Sequence, residues 1–443
     1  MKRFITALLV ALVSTAAFSQ EPSATELEKQ IRELREKISR IEAGLPSESL
    51  DEIRRQIEIL SQEIEALKLH QDSKNVTASE SLYGLGPAAS KVYRSEPGFS
   101  IGGYGEMLYE NFDDTRDNGV ASGATDQLDF LRAILYVGYK FNDRVVFNSE
   151  IEVEHATTGD SVGEVSLEFG YLDFLIRPEF NVRAGMVLLP VGLINELHEP
   201  TAFLGARRPQ LEQRVIPSTW RENGVGFFGD AGDFTYRAYV VNGLDAADFS
   251  SSGIRSGRQK GGRAKAEDFA LTGRLDWQPR EGVLLGGSFY TGASSQGESF
   301  DATLTLTELH SELRYRGAMF RALWAEGSID DVAELNALIG LTGNGSVGET
   351  IGGWYAELGY DLTALRPMGE MSLIPYIRYE EFDTQKDVPT GFSRNPVNDV
   401  DIMTLGLAWK PIPQTVIKVD YQNVNNQAGT GVDQFNAALG YIF

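Results

Sequence analysis

The sequence contains no cysteine among its 443 residues. A chain without thiols forms no disulfide bond or thiolate metal site, and it has no cysteine nucleophile. Beyond its amino-terminal end it also lacks any run approaching about 18 consecutive apolar residues, which excludes helices that span a bilayer. The four histidines do not have the spacing of metal ligands, so we expect no metal and no other cofactor.

Positive charge is scarce relative to negative charge. The chain has 40 basic and 63 acidic residues and a formal net charge of −23. This balance argues against nucleic acid as a partner and against adsorption to anionic phosphates. No glycine-rich phosphate loop is present, and Gly159-Asp160-Ser161, which could suggest a hydrolase nucleophile, sits in a short loop typical of turns. We therefore predict that the protein is not an enzyme.

Residues 1–19 have the pattern of a signal peptide. Lys2 and Arg3 precede an apolar core, and Ala17-Phe18-Ser19 offers small residues at the two positions that a signal peptidase reads. The apolar core is too short to cross a bilayer as a helix. We predict cleavage after Ser19 and export of the mature chain. Loss of the two charges of Lys2 and Arg3 changes the net charge from −23 to −25.

Residues 20–70 carry two heptad seams. Apolar residues step by three and four from Leu27 to Leu45 and again from Leu50 to Leu67, with charged residues between them. Pro46 breaks the pattern because it cannot lie inside a continuous helix. Two structures fit: a parallel coiled coil that joins several subunits, which we favour because each seam is narrow, or an intrachain helical hairpin. Residues 71–97 are polar and rich in Ser, Gly, Ala and Pro, and we interpret them as a linker.

From about residue 98 to the end, apolar residues recur with a period of two, which indicates β-strands. The stretch 128–141 is the clearest, because Leu131, Ala133 and Leu135 face one way while Arg132 faces the other. We predict sixteen strands in all. They lie near 98–112, 127–141, 144–156, 163–177, 180–190, 222–229, 233–243, 268–278, 282–292, 303–316, 318–328, 351–362, 371–382, 400–410, 414–423 and 434–443.

The connections between these strands alternate in length. Short ones include Asn142-Asp143 and Pro178-Glu179, and long ones include 113–126 and 191–221. Short turns on one side and long loops on the other, over an even number of strands, are typical of a transmembrane β-barrel. The final strand, which ends on Phe443 with Tyr441 two residues before it, fits the aromatic closing strand of a bacterial outer-membrane barrel. We therefore predict an all-β, multi-pass barrel over residues 98–443 in the outer membrane, with a periplasmic helical segment before it.

The phase of each strand predicts which side chains line the barrel. With apolar residues facing lipid, acids and bases alike point into the lumen, since a charge on the lipid face is costly. A barrel of sixteen strands is wide enough for an aqueous channel. The predicted pore-lining residues are Arg132, Glu150, Glu152, Glu154, Glu308, Glu312, Arg314, Arg321, Arg378 and Lys418.

The connection 191–221 is the longest and is partly apolar, unlike a solvated surface loop. We expect it to fold into the barrel and narrow the pore. The alternative is an external cap packed on other loops. The predicted constriction residues are Glu196, Glu199, Arg207, Arg208, Glu212 and Arg214.

The loop 244–267 carries a cluster of basic residues. It is either a solvated external loop or a patch that gathers anions or contacts the phosphates of lipopolysaccharide. The expected surroundings are therefore outer-membrane lipid and lipopolysaccharide. The cluster comprises Arg255, Arg258, Lys260, Arg263 and Lys265.

Several segments between residues 98 and 245 resemble the family of phosphate-selective porins O and P. They are Gly103-Tyr104-Gly105-Glu106, the run from Leu128 to Ala156, Pro190 to Glu196, and Ile216-Pro217-Ser218-Thr219-Trp220. The resemblance covers about 98–443. It implies a sixteen-stranded, trimeric outer-membrane porin whose third loop narrows the pore, and in phosphate-selective members arginine and lysine ladders carry anions. Here the inward positions mix acids with bases.

Two functions of different classes follow from these observations. One is a channel for passive diffusion of small hydrophilic solutes and ions. The other is a structural anchor whose coiled coil binds peptidoglycan while the barrel holds the outer membrane. The width and charge of the lumen favour the channel. The acidic composition favours cations, whereas the resemblance favours anions or phosphate.

Overall fold

The computed structural model describes residues 81–159 and 162–443. The predicted signal peptide and coiled-coil segment lie outside these residues. So does the first part of the predicted linker, up to residue 80.

The described residues form sixteen β-strands, each with alternating polar and apolar positions. Their bounds are β1 Gly98–Phe112, β2 Gln127–Asn142, β3 Val145–Glu154, β4 Val165–Arg177, β5 Phe180–Leu188, β6 Arg221–Ala231, β7 Phe234–Asn242, β8 Phe269–Arg280, β9 Val283–Gly292, β10 Leu304–Tyr315, β11 Ala318–Ile329, β12 Thr350–Tyr360, β13 Ser372–Asp387, β14 Asp399–Ile412, β15 Thr415–Asn426 and β16 Gln434–Ile442.

The sixteen strands form one closed barrel in which each strand pairs with its neighbour in the sequence. All pairs are antiparallel, and β16 closes the ring by pairing with β1 from Tyr104↔Ile442 to Phe112↔Gln434. Closure leaves no open sheet edge, so the backbone groups of every strand have partners on both sides. The predicted fold class, an all-β barrel of sixteen antiparallel strands, is confirmed.

The two faces of the wall differ in polarity, as β10 illustrates. Glu308 and His310 point inward and are buried, whereas Leu309 between them is 57% exposed on the outside. This arrangement follows from the period of two, which sends successive side chains to opposite faces of the sheet. The inner face is polar and the outer face is apolar, which is the reverse of a water-soluble protein.

Tight turns join strands at one end of the barrel, here called the short-turn end. Between β2 and β3, the Asn142 side chain accepts hydrogen bonds from the amides of Arg144 (2.8 Å) and Val145 (3.0 Å) and thereby fixes the turn. Between β10 and β11, Gly317 adopts a φ of 87°, a conformation that favours glycine. The opposite, long-loop end carries connections such as 113–126 and 244–267.

Most strand ends lie within a few residues of the predicted ones, but β13 is longer. The predicted end at residue 382 is wrong, because the strand continues to Asp387. The added residues are polar, and their composition predicts a loop. They nevertheless pair with β12, where Thr350 faces Asp387 across a bulge. Tertiary pairing therefore overrides the local composition.

Three α-helices are present in the described part of the chain: α1 Lys91–Arg94, α2 Leu211–Arg214 and α3 Val332–Ile339. Among the described residues, no helix is long and apolar enough to cross a membrane.

The main buried apolar cluster lies inside the barrel rather than between two sheets. It joins wall residues such as Tyr290 to Trp220, Ile216 and Leu85, which come from segments folded into the lumen. The rings of Trp220 and Tyr290 are 4.6 Å apart. The lumen is therefore partly filled by segments of the chain that are not strands of the wall.

Candidate functional site

The connection between β5 and β6, residues 189–220, folds into the barrel, and we call it the lumen loop. Its two ends meet where the Leu189 amide donates to the Trp220 carbonyl at 3.0 Å. The Asn195 amide group donates to both the Leu189 carbonyl (2.7 Å) and the Trp220 carbonyl (2.9 Å). Asn195 therefore holds the base of the loop together, a role that no sequence pattern indicates.

Polar contacts attach the lumen loop to separate parts of the wall. On β3, Glu150 lies 3.0 Å from the Nε2 atom of His198. On β15, Asp420 accepts a hydrogen bond from the Ala206 amide at 2.6 Å. Since β3 and β15 are four strands apart around the ring, the loop bridges well-separated parts of the wall.

Further strands bind the carbonyl groups of the lumen loop through basic side chains. Arg321 of β11 donates to the Ala202 carbonyl at 3.2 Å, and Lys410 of β14 donates to the Thr201 carbonyl at 2.8 Å. Arg274 of β8 donates to the Gly192 carbonyl. These inward bases satisfy backbone acceptors that the irregular loop would otherwise bury without partners.

The predicted constriction residues have different surroundings. Glu196 pairs with Arg237 of β7 at 3.1 Å, and Arg207 pairs with Glu110 of β1. Arg208 is buried and donates to the His198 carbonyl at 3.1 Å. Arg214, by contrast, is exposed.

Glu212 is used to hold the lumen loop in place. One carboxylate oxygen accepts from the Ile194 amide at 2.7 Å, and the other accepts from the Tyr355 hydroxyl of β12 at 2.8 Å. Burial raises the pKa of Glu212, while these hydrogen bonds oppose the shift. Both oxygens are occupied, so this side chain is part of the scaffold of the loop.

Glu199 also has a perturbed carboxyl group. Burial raises its pKa to about 7, and the neighbouring carboxylate of Glu150 adds to the shift. His198 and the backbone amides of Ala88 and Ala89 act in the opposite direction. This group is therefore placed to titrate close to neutral pH.

The predicted pore-lining residues all lie on alternate, inward positions of their strands. Buried members are Glu150, Glu152, Glu308, Arg321, Arg378 and Lys418. Arg132, Glu154 and Glu312 are partly buried, and Arg314, near the short-turn end of β10, is exposed.

Many of these charges are paired with near neighbours. Arg132 contacts Glu106 of β1 at 2.8 Å and Glu152 of β3 at 3.2 Å. Arg321 contacts Glu312 at 2.8 Å. Short-range pairing lowers the cost of burying each charge and rigidifies the inner wall.

A network of side chains on β7 to β10 is not predicted by the sequence pattern. Asp276 accepts from Arg237 at 2.9 Å and lies 2.8 Å from the Nε2 atom of His310, whose Nδ1 atom lies 2.8 Å from Glu308. Glu308 also accepts from the Ser288 hydroxyl at 2.6 Å. Strand pairing brings these residues together across four strands, and no local motif marks them.

Two inward cations, Lys418 of β15 and Arg378 of β13, have nitrogen atoms without a hydrogen-bond partner among the described residues. The Lys418 amine is buried, lies 3.5 Å from the centre of the Phe203 ring, and has no hydrogen-bond partner among the described residues. Arg378 lies 3.4 Å from Glu357 and 3.3 Å from Glu380. Its Nη2 atom lacks a hydrogen-bond partner within the described part of the chain. A cation over an aromatic face is stabilised by the ring quadrupole.

Residues 82–95, which precede β1, also lie in the lumen, and we call them the amino-terminal insert. Glu199 of the lumen loop accepts hydrogen bonds from the amides of Ala88 and Ala89, both at 3.0 Å. Asn148 of β3 donates to the Ala89 carbonyl at 2.9 Å. The polar, small-residue composition of this stretch suggested a linker and gave no sign of these contacts.

The basic loop 244–267 packs on the lumen loop. Arg258 donates to the carbonyls of Pro217 (3.2 Å) and Thr219 (2.6 Å). Burial lowers the pKa of Arg258 to about 10, and nearby Arg221 adds to the shift. Lys265 pairs with Asp245 at 2.7 Å and is more than half exposed. The cluster is thus divided between the partly buried Arg255 and Arg258 and the exposed Lys260, Arg263 and Lys265.

No group of carboxylate and histidine side chains in the described residues has the arrangement of a metal site. Of the histidines, His155 pairs with Asp129 at 2.6 Å and His310 belongs to the network on β7 to β10. Two residues of the tripeptide Gly159-Asp160-Ser161 lie outside the described part of the chain.

The sequence matches no model of a known protein family. It is 37% identical over 372 residues to an uncharacterized protein of Aquifex aeolicus (strain VF5), covering 81% of this chain and 83% of that protein. This chain belongs to the same family as the Aquifex protein. Membership of the phosphate-selective porin O and P family stays a prediction.

The fold resembles those of solved barrels. The anion-selective porin from Comamonas acidovorans superposes with a TM-score of 0.50 at 11% identity, covering 79% of this chain and 100% of that chain. The outer membrane channel DcaP of Acinetobacter baumannii superposes with a TM-score of 0.48 at 14% identity, covering 78% and 97%. At 11% identity, the superposition on the Comamonas porin shows a shared fold alone.

Proposed function

We propose that this protein is an outer-membrane porin that lets small hydrophilic solutes and ions diffuse through its lumen. The observation that carries the proposal is the reversed polarity of the closed barrel. Charged side chains such as Glu308 and Arg378 point inward, while Leu309 and its counterparts form an apolar outer surface. An apolar outer surface suits lipid, and a charged inner wall suits water and dissolved ions.

The short-turn end faces the periplasm in this proposal, and the long loops face the outside, as in bacterial outer-membrane barrels. The chain before the barrel then lies on the periplasmic side, which fits the predicted signal peptide 1–19. We further propose a homotrimer, held partly by a coiled coil of residues 20–70. The heptad seams between Leu27 and Leu67 support this assembly.

The lumen loop is the proposed constriction. Its attachment to β3 through Glu150 and to β15 through Asp420 supports this role, because a segment bound to well-separated strands must reduce the free cross-section between them. The inward charges near it then act on passing solutes at short range. Rings of charge, rather than single residues, set the ion preference of such pores.

We propose that the channel prefers cations. The net charge of −23 and the acids Glu150, Glu152 and Glu154 on β3 favour positive ions near the lumen. The name of the Comamonas relative in fold points to the opposite preference. The paired arrangement of Arg132 with Glu106 and Glu152 supports our assignment, since these acids outnumber the base between them.

Reconstitution of the purified protein into planar bilayers tests the function. We expect discrete conductance steps. In a salt gradient, we expect the reversal potential to have the sign that a cation-selective channel produces. A protein that inserts but never conducts would contradict the channel. A strongly anion-selective reversal potential would contradict the cation assignment and leave the channel intact.

A further inference from the structure

The amino-terminal insert lies inside the lumen that the proposed channel uses. Resting on that proposed function, we propose that residues 82–95 form a movable plug. It blocks the pore in the state described here and opens the pore by withdrawing towards the short-turn end.

The plug is a compact unit held together by Ser90. The Ser90 hydroxyl interacts with the Gly86 carbonyl (2.7 Å) and the Leu85 carbonyl (3.1 Å), and its oxygen accepts from the Leu82 amide at 2.9 Å. Ser90 is fully buried. One side chain therefore closes the turn of the segment, so the plug can keep its shape while its position changes.

Both ends of the plug lie near the short-turn end of the barrel. At the start, the Tyr83 ring is 5.1 Å from that of Phe228, close to the turn after β6. At the other end, Lys140, near the turn after β2, donates to the Ser95 carbonyl at 3.1 Å. A loop whose two ends share one mouth can leave the lumen without being unthreaded.

The innermost part of the plug contacts the lumen loop. The Glu199 carboxylate, 1% exposed, accepts from the Ala88 and Ala89 amides through a single oxygen. Its other oxygen has no hydrogen-bond partner in the described part of the chain. The plug and the lumen loop thus meet at a buried carboxylate that holds two backbone donors.

The wall is shaped to receive the plug. A Cβ built on Gly138 of β2 would lie 2.7 Å from the Val92 Cβ, and one built on Gly102 of β1 would lie 2.9 Å from the Ala88 carbonyl oxygen. A bulky side chain at these inward positions would collide with the segment. The barrel therefore leaves room where the plug passes.

The remaining polar contacts with the wall centre on Tyr93. Its hydroxyl donates to Asp173 of β4 at 2.6 Å and accepts from Arg183 of β5 at 3.3 Å, while Asp173 itself is held by Arg183 at 2.8 Å. No strand of the barrel pairs with the plug, and the ring is complete without it. Withdrawal would break these side-chain contacts and leave the wall intact.

A disulfide between plug and wall tests the proposal, because the chain has no cysteine of its own. We would combine Val92→Cys with Gly138→Cys, whose Cβ atoms need a separation of about 3.5–4.5 Å and hence only a small shift. Each single variant, treated with the same oxidant, is the control. A further variant replaces residues 84–93 with a Gly-Ser linker of equal length.

In single-channel recordings we expect the oxidised double variant to lose at least about tenfold in time-averaged conductance, and a reductant to restore it. The single variants should not respond to oxidant. The linker variant should stay open, with a conductance at or above the highest level of the unaltered protein. These results together would establish a plug that moves.

Three outcomes would overturn the proposal. Equal conductance of the oxidised and reduced double variant would show that plug movement does not gate the pore, although the channel would stand. A folded barrel in which the two cysteines never join would place the plug elsewhere. Absence of conductance in every variant, including the linker variant, would instead remove the channel function itself.

Discussion

Gly103 and Phe443 form a reciprocal pair at the seam where the barrel closes. The Gly103 amide donates to the Phe443 carbonyl at 3.1 Å, and the Phe443 amide donates to the Gly103 carbonyl at 3.0 Å. The Phe443 ring covers the space a side chain would take, since a Cβ on Gly103 would lie 2.7 Å from a ring carbon. The last residue of the chain thus completes the ladder between its first and last strands.

Removal of Phe443 should slow insertion of the barrel and leave unfolded chains in the periplasm. The deletion removes two hydrogen bonds of the seam and the ring that packs on Gly103. The fraction of folded protein in isolated outer membranes measures the effect, and Phe443→Tyr, which keeps the ring, is the control. Normal surface levels of the shortened chain would contradict this role for the closing residue.

Substitution of Asn195 by alanine should loosen the lumen loop and raise both the mean conductance and the open-channel noise. The change removes the side-chain bonds to the Leu189 and Trp220 carbonyls and leaves the buried Trp220 amide without its acceptor, at a cost of about 1–3 kcal/mol. Asn142→Ala is a matched control, because that asparagine also bonds two backbone groups but lies in a short turn. If both variants conduct alike, the loop does not limit the current.

Replacement of Glu150, Glu152 and Glu154 by glutamine should shift the reversal potential in a salt gradient towards anions. The triple change removes three inward negative charges and leaves Arg132 without one of its carboxylate partners. The control is a second triple variant that changes the net charge by the same amount. It combines Glu179→Gln, Glu281→Gln and Glu370→Gln, three exposed positions at the short-turn end. An equal shift in the control would mean that the total charge, and not the inner wall, sets the preference.

Opening of the plug should become more favourable as the pH rises from 5 to 8. In the closed state burial holds the pKa of Glu199 at about 7, against an ordinary value of 4.5 when solvated. Ionisation of Glu199 therefore destabilises the closed state relative to the open state. The free-energy cost is absent at pH values below 4.5 and complete at pH values above about 7. Since the open state binds fewer protons over this range, a higher pH favours opening.

The groups facing Glu199 are the amides of Ala88 and Ala89, Glu150, His198 and Tyr136. Glu199→Gln has no proton to lose, so the pH dependence of its open probability should flatten. Exposed Glu164→Gln should retain the dependence of the unaltered protein. A channel whose open probability falls as the pH rises would reverse the predicted sign.

Deletion of residues 20–70, with the signal peptide retained, should weaken the oligomer and leave the barrel folded. The heptad seams in this segment motivate the expectation. Analytical ultracentrifugation in detergent measures the subunit number, and replacement of residues 71–80 by a Gly-Ser linker is the control for changes in the connecting chain. If the excised segment stays monomeric at high concentration, it is an intrachain hairpin instead.

Much of the fold could be predicted from the sequence, because the alternation of side chains along a strand is a local property. A period of two places successive side chains on opposite faces, so Glu308 and Leu309 have opposite environments wherever their strand lies. Turn signals such as Asn142 are local as well. The end of β13 was missed because pairing with β12, and not composition, carries the strand to Asp387.

The sequence by itself determined the strands, their phase and therefore which charges point inward. Only the tertiary structure decided what those charges contact. Glu199 meets the amides of residues 88 and 89, more than 100 positions away, and Ala206 meets Asp420 on a distant strand. The physical reason is closure of the barrel: it brings remote inward positions and two irregular segments into one small volume, where buried polar groups must find partners that no local pattern records.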